Sequence, residues 1–489
     1  MLFNSVAFLV FFPIVTFLYF AFPPRYRWFI LLAASSYFYM CFVPKYLLIL
    51  AFTILVDYFA GILIEQAQGR RRKLYLIASL IANVGVLFFF KYFNFFNYNA
   101  AGILEFLGLN YAIRDLSILL PIGLSFHTFQ SMSYTIEVYR GKQVAEKRIG
   151  IFALYVMFYP QLVAGPIERP QNLLHQFYET HRFEWARVVS GLQLMLWGLF
   201  KKVIIADRLA FFVNEVYGRP EHYPGPALFI ATVFFAFQIY CDFSGYSDMA
   251  LGAAEVMGFK LMKNFDRPYF SKSISEFWRR WHISLATWFR DYLYIPLGGN
   301  RVSRPRWLGN LMLTFLISGL WHGASWNFVV WGGLNGLYLA VGTFVEKWKI
   351  RTVDIIQNKM IKSLVGILEI SVTFGLVCVA WVFFRATSIA GAFGILIGIF
   401  TGWGQWFSVF SGDLFVKNIL IVATRVEYIF AWLGILFLVV VERLQGENDL
   451  RASVGGWPKV LRWVWYSFLF LAVIFFGVFK NSQFIYFQF

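Results

Sequence analysis

Long apolar runs alternate with short basic loops along most of the chain. The runs cover residues 5–22, 28–43, 46–64, 74–90, 117–138, 152–163, 188–205, 227–240, 364–384, 429–441 and 460–479, besides a longer stretch at 307–345. A helix that crosses a bilayer needs about 20 apolar residues, and shorter or broken segments at membrane depth usually line a cavity. The pattern therefore predicts an all-α, polytopic integral membrane protein with about a dozen membrane-embedded helices.

No internal repeat, low-complexity tract or long linker interrupts this pattern, so we expect a single domain over residues 1–489. The composition is 59% hydrophobic and only 14% charged, which excludes an ordinary soluble enzyme. The net charge of +17 lies in loops between apolar runs, which favours a role in membrane topology over binding of nucleic acid. Binding of an anionic cytoplasmic substrate is the alternative use of this charge.

The basic loops predict an orientation, because positively charged loops favour the cytoplasm. The loops around Arg25 and at residues 70–73 (R-R-R-K) are basic, and counting spans back from them places the N-terminus outside. Lys459 and Arg462 precede the final run, which places the C-terminus outside as well. The first run has no basic residue before it and no small-residue cleavage site, so we expect a retained helix and not a signal peptide.

The stretch 307–345 is almost wholly apolar, and only His322 in it titrates near neutral pH. Basic residues at both ends predict that both ends lie on the same side of the membrane, so the chain must go up and come back. The ascending limb, residues 307–321, would be ~22 Å long, short of the roughly 30 Å bilayer core. His322 would then lie near the apex, with Gly323 allowing the bend. The flanking basic residues are Arg301, Arg304, Arg306, Lys347, Lys349 and Arg351.

An ionisable residue alone in an apolar run indicates a functional site, because hydrocarbon disfavours it unless it faces a cavity or a partner. The alternative for His322 is a histidine that only hydrogen-bonds within a helix bundle. Residues 273–295 are predicted to form one helix at a membrane interface, with His282 beside its aromatic stripe. A structural role for His282 is as consistent with this position as a functional one. The stripe consists of Trp278, Trp281, Leu285, Trp288 and Tyr292.

Three further segments carry polar residues at membrane depth. In 111–141, Pro121 and Gly123 predict an irregular helix start, and the prolines and glycine of 159–171 exclude one continuous helix. The segment 238–255 places acidic residues among small ones, which favours polar packing between helices, with the lining of a cavity as the alternative. The polar residues of the first and third segments are His127, Gln130, Glu137, Asp242, Asp248 and Glu255.

Several catalytic patterns are absent from the sequence, among them the nucleophile elbow, the H-E-x-x-H metal pair, the Walker loop and the dinucleotide fingerprint. The six histidines have no metal-ligand spacing, so we expect no metal site. Cys41, Cys241 and Cys378 are scattered through apolar segments and are expected to be buried, inert thiols. A neutral imidazole can take a proton from an attacking hydroxyl, which suffices for acyl transfer from an activated thioester.

The sequence resembles the membrane-bound O-acyltransferases, in particular the bacterial polysaccharide branch that includes alginate O-acetyltransferases. The motifs behind this resemblance are P-I-G-L-S-F-H-T-F-Q, L-V-A-G-P-I-E-R-P, Q-I-Y-C-D-F-S-G-Y-S-D-M-A, F-W-R-R-W-H-I-S-L-A-T-W-F-R-D-Y-L-Y-I-P-L-G-G-N-R and L-W-H-G-A-S-W-N. It implies a shell of helices around a central funnel open to the outside, and it makes His282 and His322 the two characteristic histidines. His127 departs from the pattern, since another aromatic residue is expected there.

The resemblance implies an O-acetyltransferase in the bacterial cytoplasmic (inner) membrane. It would move acetyl from a cytoplasmic thioester, acetyl-CoA, toward an extracytoplasmic polysaccharide such as alginate. Transfer would be direct or would pass through an extracytoplasmic acetyltransferase or an SGNH-hydrolase-like partner, and no cofactor would be bound. His322 would be the general base, and His282 would orient the donor or polarise its carbonyl.

Three other functions stay open on the sequence. One is acyl or D-alanyl transfer to peptidoglycan or teichoic acid by the same family. Another is transport of polysaccharide or lipid, although transporters often show the inverted repeats that are missing here. A third is a non-catalytic membrane scaffold in a secretion complex.

The C-terminal residues 484–489 read F-I-Y-F-Q-F, and Tyr486 carries their only hydroxyl. A similar ending is associated with an acyl relay among bacterial relatives, so Tyr486 would accept the acetyl group transiently or position the partner that does. The alternative is an aromatic anchor at the membrane interface.

Overall fold

The computed structural model describes residues 1–353, 358–401, 425–446, 449–479 and 484–485. Over these residues the chain is mostly helical and contains no β-strand. The described chain forms two compact units, one of residues 1–195 and 247–262 and the other of residues 196–246 and 263–489. The predicted all-α class is confirmed, whereas the prediction of one domain stays a prediction.

The first unit is built on nine helices and on parts of two longer ones. Asp57 on α3 accepts hydrogen bonds from Ser79 and Asn83 on α4, so these two helices join through a buried polar cluster. The nine helices are α1 (Val6–Ala21), α2 (Pro24–Met40), α3 (Tyr46–Gln66), α4 (Gly69–Leu87), α5 (Phe93–Phe106), α6 (Leu124–Tyr139), α7 (Ile149–Met157), α8 (Tyr159–Leu162) and α9 (Pro170–Leu173).

The two longer helices, α10 (Trp185–Phe200) and α12 (Gly225–Met257), contribute residues to both units. A π-helical turn, Lys201–Ala206, joins α10 to α11 (Asp207–Gly218) in the second unit. The other helices of the second unit are α13 (Ile274–Arg280), α14 (Ile283–Phe289), α15 (Arg304–His322), α16 (Trp326–Val353), α17 (Lys359–Arg385), α18 (Ile389–Thr401), α19 (Arg425–Gln445), α20 (Leu450–Gly455) and α21 (Lys459–Phe476).

Seven helical segments in the described part of the chain are long and apolar enough to cross a membrane. They support the prediction of a multi-pass membrane protein. The segments are Tyr46–Gln66, Gly69–Phe106, Trp185–Gly218, Gly225–Met257, Trp326–Val345, Lys359–Arg385 and Lys459–Phe476.

The predicted apolar runs and the observed helices differ in their bounds at three places. The predicted run 227–240 ends before the helix does, since α12 continues through the acidic and small residues after Tyr240 to Met257. The run 117–138 becomes helical only at Leu124, after Gly123 with a left-handed φ of 76°, as its irregular start predicted. The run 152–163 is divided between α7 and α8, and no continuous helix covers 159–171, as predicted.

The predicted hairpin around His322 is present in the second unit. α15 ends at His322, residues 323–325 turn the chain, and α16 packs back against α15. The ascending helix has 19 residues and therefore measures about 28 Å. It is longer than the predicted limb because it begins at Arg304, with Pro305 in its first turn where proline is tolerated. The side of the membrane that each end faces stays a prediction.

Glycines permit the close packing of this hairpin by their lack of a side chain. A Cβ on Gly319 would lie 2.1 Å from the carbonyl oxygen of Phe328, so the two backbones nearly touch there. A Cβ on Gly323 would lie 2.1 Å from the ring of Phe328. Gly323 has φ −161°, an extended conformation open to any residue. The predicted reason for Gly323, backbone freedom at a bend, is therefore wrong, and the reason is space.

We expect Gly319→Ala to destabilise the protein by about 1–3 kcal/mol, because a methyl group there overpacks a contact with backbone that cannot move aside. The measurement is thermal or denaturant unfolding of the purified protein in detergent. Gly309→Ala on the same helix is the matched control, since no heavy atom outside the local helix backbone and the adjacent residues lies within 4 Å of its Cβ position. Alanine there should be neutral or slightly stabilising. Equal unfolding midpoints for the two variants would contradict the close packing.

Candidate active site

The chain breaks its helical course at Trp281 and His282. Trp281 is extended, with φ −102° and ψ 127°, and His282 is left-handed, with φ 44° and ψ 54°. The prediction of one helix over 273–295 is therefore wrong, because α13 ends before this pair and α14 begins after it. After α14 the chain forms a π-helical turn, Arg290–Tyr294. Such turns are rare and frequently occur at functional sites.

The segment around Asn264 stabilises the break between α13 and α14 by hydrogen bonds. The Asn264 carbonyl accepts a hydrogen bond from the Ile283 N–H at 2.9 Å, and its side-chain oxygen accepts one from the Ser284 hydroxyl at 2.9 Å. The Asp266 N–H donates to the Arg280 carbonyl at 2.8 Å. These bonds satisfy backbone groups that a continuous helix would have paired internally. Spacing along the sequence could not reveal them, because Asn264 is remote from the aromatic stripe.

The break turns His282 into the protein, where the residue is only 1% exposed. Its ring lies 4.7 Å from that of Phe243 and 6.4 Å from that of Phe265, between centroids. Burial lowers the pKa of His282 to about 3. The imidazole is therefore neutral at physiological pH and carries one donor and one acceptor nitrogen. The predicted interfacial stripe is wrong as well, because Trp281 and Trp288 are buried.

His322 is the last residue of α15 and is 4% exposed. Its ring centroid lies 4.9 Å from Trp331 and 5.3 Å from Phe384, both nearly edge-on. The sequence correctly placed His322 at the apex of the hairpin. It did not indicate the partners of the ring, because Phe384 comes from α17, far along the chain.

Trp321 brings the two histidines into one site. Its indole centroid lies 4.9 Å from the His322 ring and 6.0 Å from the His282 ring. Sequence reasoning named both histidines and missed the tryptophan that contacts both. Its position next to His322 was the available signal, but one tryptophan among many in apolar runs is uninformative by itself.

Further tryptophans close the site around His322. Trp381 lies 5.0 Å from Trp281 and 5.9 Å from Trp331, and Trp331 lies 5.7 Å from Trp278, between ring centroids. Such rings exclude water, and electrostatic interactions strengthen in the low dielectric that results. Sequence reasoning missed Trp331 and Trp381, because aromatic residues in an apolar run look alike whether they face lipid or a site.

A cavity of about 540 Å³ opens beside this site, among α13, α14, α15 and α16. Its lining is mainly apolar, and it includes two exposed arginines, Arg279 and Arg290, of which Arg290 is paired with Asp291 at 2.8 Å. Trp278 also lines the cavity and contacts Trp331, which in turn contacts His322. Ser318, a further lining residue, precedes His322 by one helical turn on α15. The cavity therefore reaches to about one turn of helix from the His322 ring.

The other residues singled out from the sequence have different surroundings. Asp242 is buried in an ion pair with Lys202, whose Nζ lies 2.7 Å from its carboxylate. His127 is buried on α6 in the first unit. Phe484 and Ile485 are both buried, whereas Tyr486 lies outside the described residues. No group of three or more His, Cys, Asp or Glu side chains suited to a metal ion occurs among the residues described.

Comparison with known proteins gives one consistent family. A model of the membrane-bound O-acyltransferase family matches residues 149–378. A protein of Pseudomonas aeruginosa named "Probable alginate O-acetylase AlgI" is 40% identical over 83% of this chain and 76% of its own length. The peptidoglycan O-acetyltransferase of Helicobacter pylori is 36% identical over 76% of this chain and 73% of its own length. The teichoic acid D-alanyltransferase of Bacillus subtilis is 26% identical over 54% of this chain and 68% of its own length.

The matched region contains both histidines, Trp321 and the lining of the cavity. The resemblance and the geometry thus converge on the same part of the second unit. The chain belongs to the membrane-bound O-acyltransferase family and is a multi-pass helical O-acyltransferase.

Proposed function

We propose that this enzyme transfers acetyl from acetyl-CoA in the cytoplasm to an extracytoplasmic polysaccharide such as alginate, directly or through a partner protein. The observation that carries the proposal is the His322 ring, enclosed by tryptophans one helical turn from the end of an arginine-bearing cavity. The relative named as an alginate O-acetylase supports the acceptor class.

The cavity suits the arm of a thioester donor. Coenzyme A is too highly charged to enter hydrocarbon, so only its acyl arm can reach a buried histidine. Arg279 and Arg290 are exposed and can bind phosphate oxygens, for which a guanidinium is well suited. The mainly apolar lining can then hold the pantetheine arm, with its thioester directed toward Ser318 and His322. Acetyl-CoA would act as a substrate, and the chemistry requires no bound cofactor.

The proposed chemistry needs one base and one polarising group. A ring nitrogen of His322 takes the proton of the acceptor hydroxyl while the hydroxyl oxygen attacks the thioester carbonyl carbon. The carbon–sulfur bond breaks, and the departing thiolate receives the proton. His282 is neutral and can donate a hydrogen bond that orients the donor or stabilises the carbonyl oxygen.

For His322 we expect substitution by Ala or Gln to lower the rate by roughly 10²–10⁴-fold, as is typical for loss of a positioned base. The measurement is release of CoA and acetylation of polymer by purified protein with acceptor and partner supplied. His222→Ala is the matched control, because His222 is exposed on a short surface turn and should be dispensable. Activity of the His322 variants within about threefold of wild type, at equal protein, would remove His322 from the mechanism.

His282 needs a substitution that respects its left-handed backbone. Asparagine tolerates this conformation, so His282→Asn removes the imidazole with little backbone cost, whereas His282→Ala adds strain. If the imidazole orients the thioester donor or stabilises its carbonyl oxygen, turnover by the Asn variant should fall roughly 10²-fold at an unchanged unfolding midpoint. A lowered midpoint with normal turnover per folded molecule would instead assign His282 a structural role. Both quantities are measured on the same detergent-purified preparation.

We further propose that the enzyme lies in the bacterial cytoplasmic membrane with both termini outside, as the basic loops favour. The acceptor polymer, or an SGNH-hydrolase-like or other acetyltransferase partner, would then approach through an outward funnel. Peptidoglycan is the second candidate acceptor, because a relative at 36% identity carries that name. Purified protein offered alginate-type polymer and peptidoglycan in parallel separates the two.

Tyr486 is proposed as a transient acyl acceptor, or as the residue that positions the partner which accepts the acetyl group. The described chain reaches Ile485, one residue before it, and Ile485 is buried. The competing role is that of an aromatic anchor.

Tyr486→Phe distinguishes these roles, because it keeps the ring and removes only the oxygen. A relay should lose polymer acetylation while donor binding stays normal, and mass spectrometry of the wild-type C-terminal peptide should find an added acetyl group on Tyr486. Near-normal polymer acetylation by the Phe variant would end the relay proposal.

A further inference from the structure

A buried ionic cluster lies in the second unit where α11 and α12 meet the π-helical turn Lys201–Ala206. Lys202 on this turn is 5% exposed, and its ammonium lies 2.8 Å from Asp207 and 2.7 Å from Asp242. Sequence analysis singled out Asp242 and missed Lys202, which falls near the end of an apolar run. A charged group at membrane depth is costly, so its retention indicates a task.

Among the described residues, the cluster pairs one ammonium group with two carboxylates. Buried carboxylate oxygens need additional donors to offset their desolvation. The structure supplies such a donor from the C-terminal segment, which here means the described residues after α21, 477–479 and 484–485. The Ile485 N–H donates a hydrogen bond to Asp242 Oδ2 at 2.8 Å. The end of the chain therefore contributes to the satisfaction of this cluster.

Other contacts bring the C-terminal segment to the same place. The Val478 N–H donates to the Val203 carbonyl on the π-helical turn at 2.9 Å. The Phe484 ring lies 5.9 Å from Phe243 and 5.0 Å from Tyr246 on α12, between centroids. Val478, Phe484 and Ile485 thus each contact the π-helical turn or α12.

The residue that follows Asp242 connects this docking site to the active site. Phe243 contacts the Phe484 ring on one side and lies 4.7 Å from the His282 ring on the other. Successive residues of α12 thus bind the C-terminal backbone, through Asp242, and contact the wall around His282, through Phe243. A shift of Ile485 would move the adjacent Phe484 ring, which contacts Phe243 and through it the surroundings of His282.

We propose that Asp242, held by Lys202, is a positioning residue that docks the C-terminal segment through the Ile485 N–H beside the active-site histidines. The docking itself is independent of the chemistry, whereas its effect on turnover rests on the proposed acetyl transfer. Asp207 and Asp242 both pair with Lys202, whereas Asp242 is the carboxylate that accepts the Ile485 N–H. This difference between the two carboxylates makes the proposal testable.

The first test measures docking without activity. The protein carries Ile485→Cys, which keeps the backbone N–H, together with Cys41→Ser. The prediction that Cys41 is buried is wrong, because it is exposed, whereas Cys241 and Cys378 are buried as predicted. Labelling by a maleimide should be slow in this parent. Adding Asp242→Asn should speed it roughly tenfold or more, since the hydrogen bond loses its charged acceptor. Adding Asp207→Asn, the matched control, should leave the rate within about twofold of the parent.

Equal labelling rates in the Asp242→Asn and Asp207→Asn variants would overturn the proposal, as would no acceleration in either. The first result would mean that the cluster stabilises the fold as a whole, and the second that the hydrogen bond does not hold the segment. Unfolding midpoints of the three proteins identify a global loss of stability.

The second test measures the consequence for turnover with a change on the C-terminal side. Ile485→Pro removes the N–H donor and leaves all three charged side chains in place. Polymer acetylation should fall roughly tenfold, while the KM for acetyl-CoA and the unfolding midpoint stay at wild-type values. Wild-type acetylation by this variant would overturn the effect on turnover. A wild-type protein without acetyl transfer would instead contradict the proposed function, and the labelling result would still decide the docking.

Discussion

Hydrocarbon offers no hydrogen-bond partners, so a polar side chain at membrane depth has to be enclosed by protein. The second unit meets this constraint in two ways. Aromatic rings from α15, α16 and α17 surround His322 and keep water away from the imidazole. Opposite charges instead pair around Lys202, between α11, α12 and the π-helical turn. The first arrangement suits a base that must exchange protons, and the second suits a fixed anchor.

The irregular backbone at His282 has a comparable origin. A left-handed non-glycine residue costs about 1–3 kcal/mol and persists only where its surroundings impose it. Here Asn264 and its neighbours impose it, by bonding the backbone groups that the break releases. The strained backbone places the His282 side chain inside the protein. In a continuous helix, His282 would instead lie along a surface stripe. Strain at this point therefore accompanies the assembly of the site.

The close packing of α15 on α16 serves the same end by different means. Glycine at 319 lets two backbones approach to a distance that no side chain permits, and this approach orients the helix end that carries His322. The cavity beside Ser318 lies against the same helix, so the cavity and the His322 ring both depend on one closely packed hairpin.

The sequence by itself determined the class of the protein, because apolar length and basic loops decide membrane insertion locally. It also determined the hairpin and the two histidines, since an isolated ionisable residue stands out against an apolar run and the motifs are contiguous. Only the tertiary structure decided the break at His282, the tryptophans from α16 and α17, and the pairing of Lys202 with Asp242. Each of these depends on residues that are distant in sequence, and an aromatic or charged residue in an apolar run does not show whether its partner is lipid or another helix. Spacing records periodicity along one element, whereas a site is made by the packing of several.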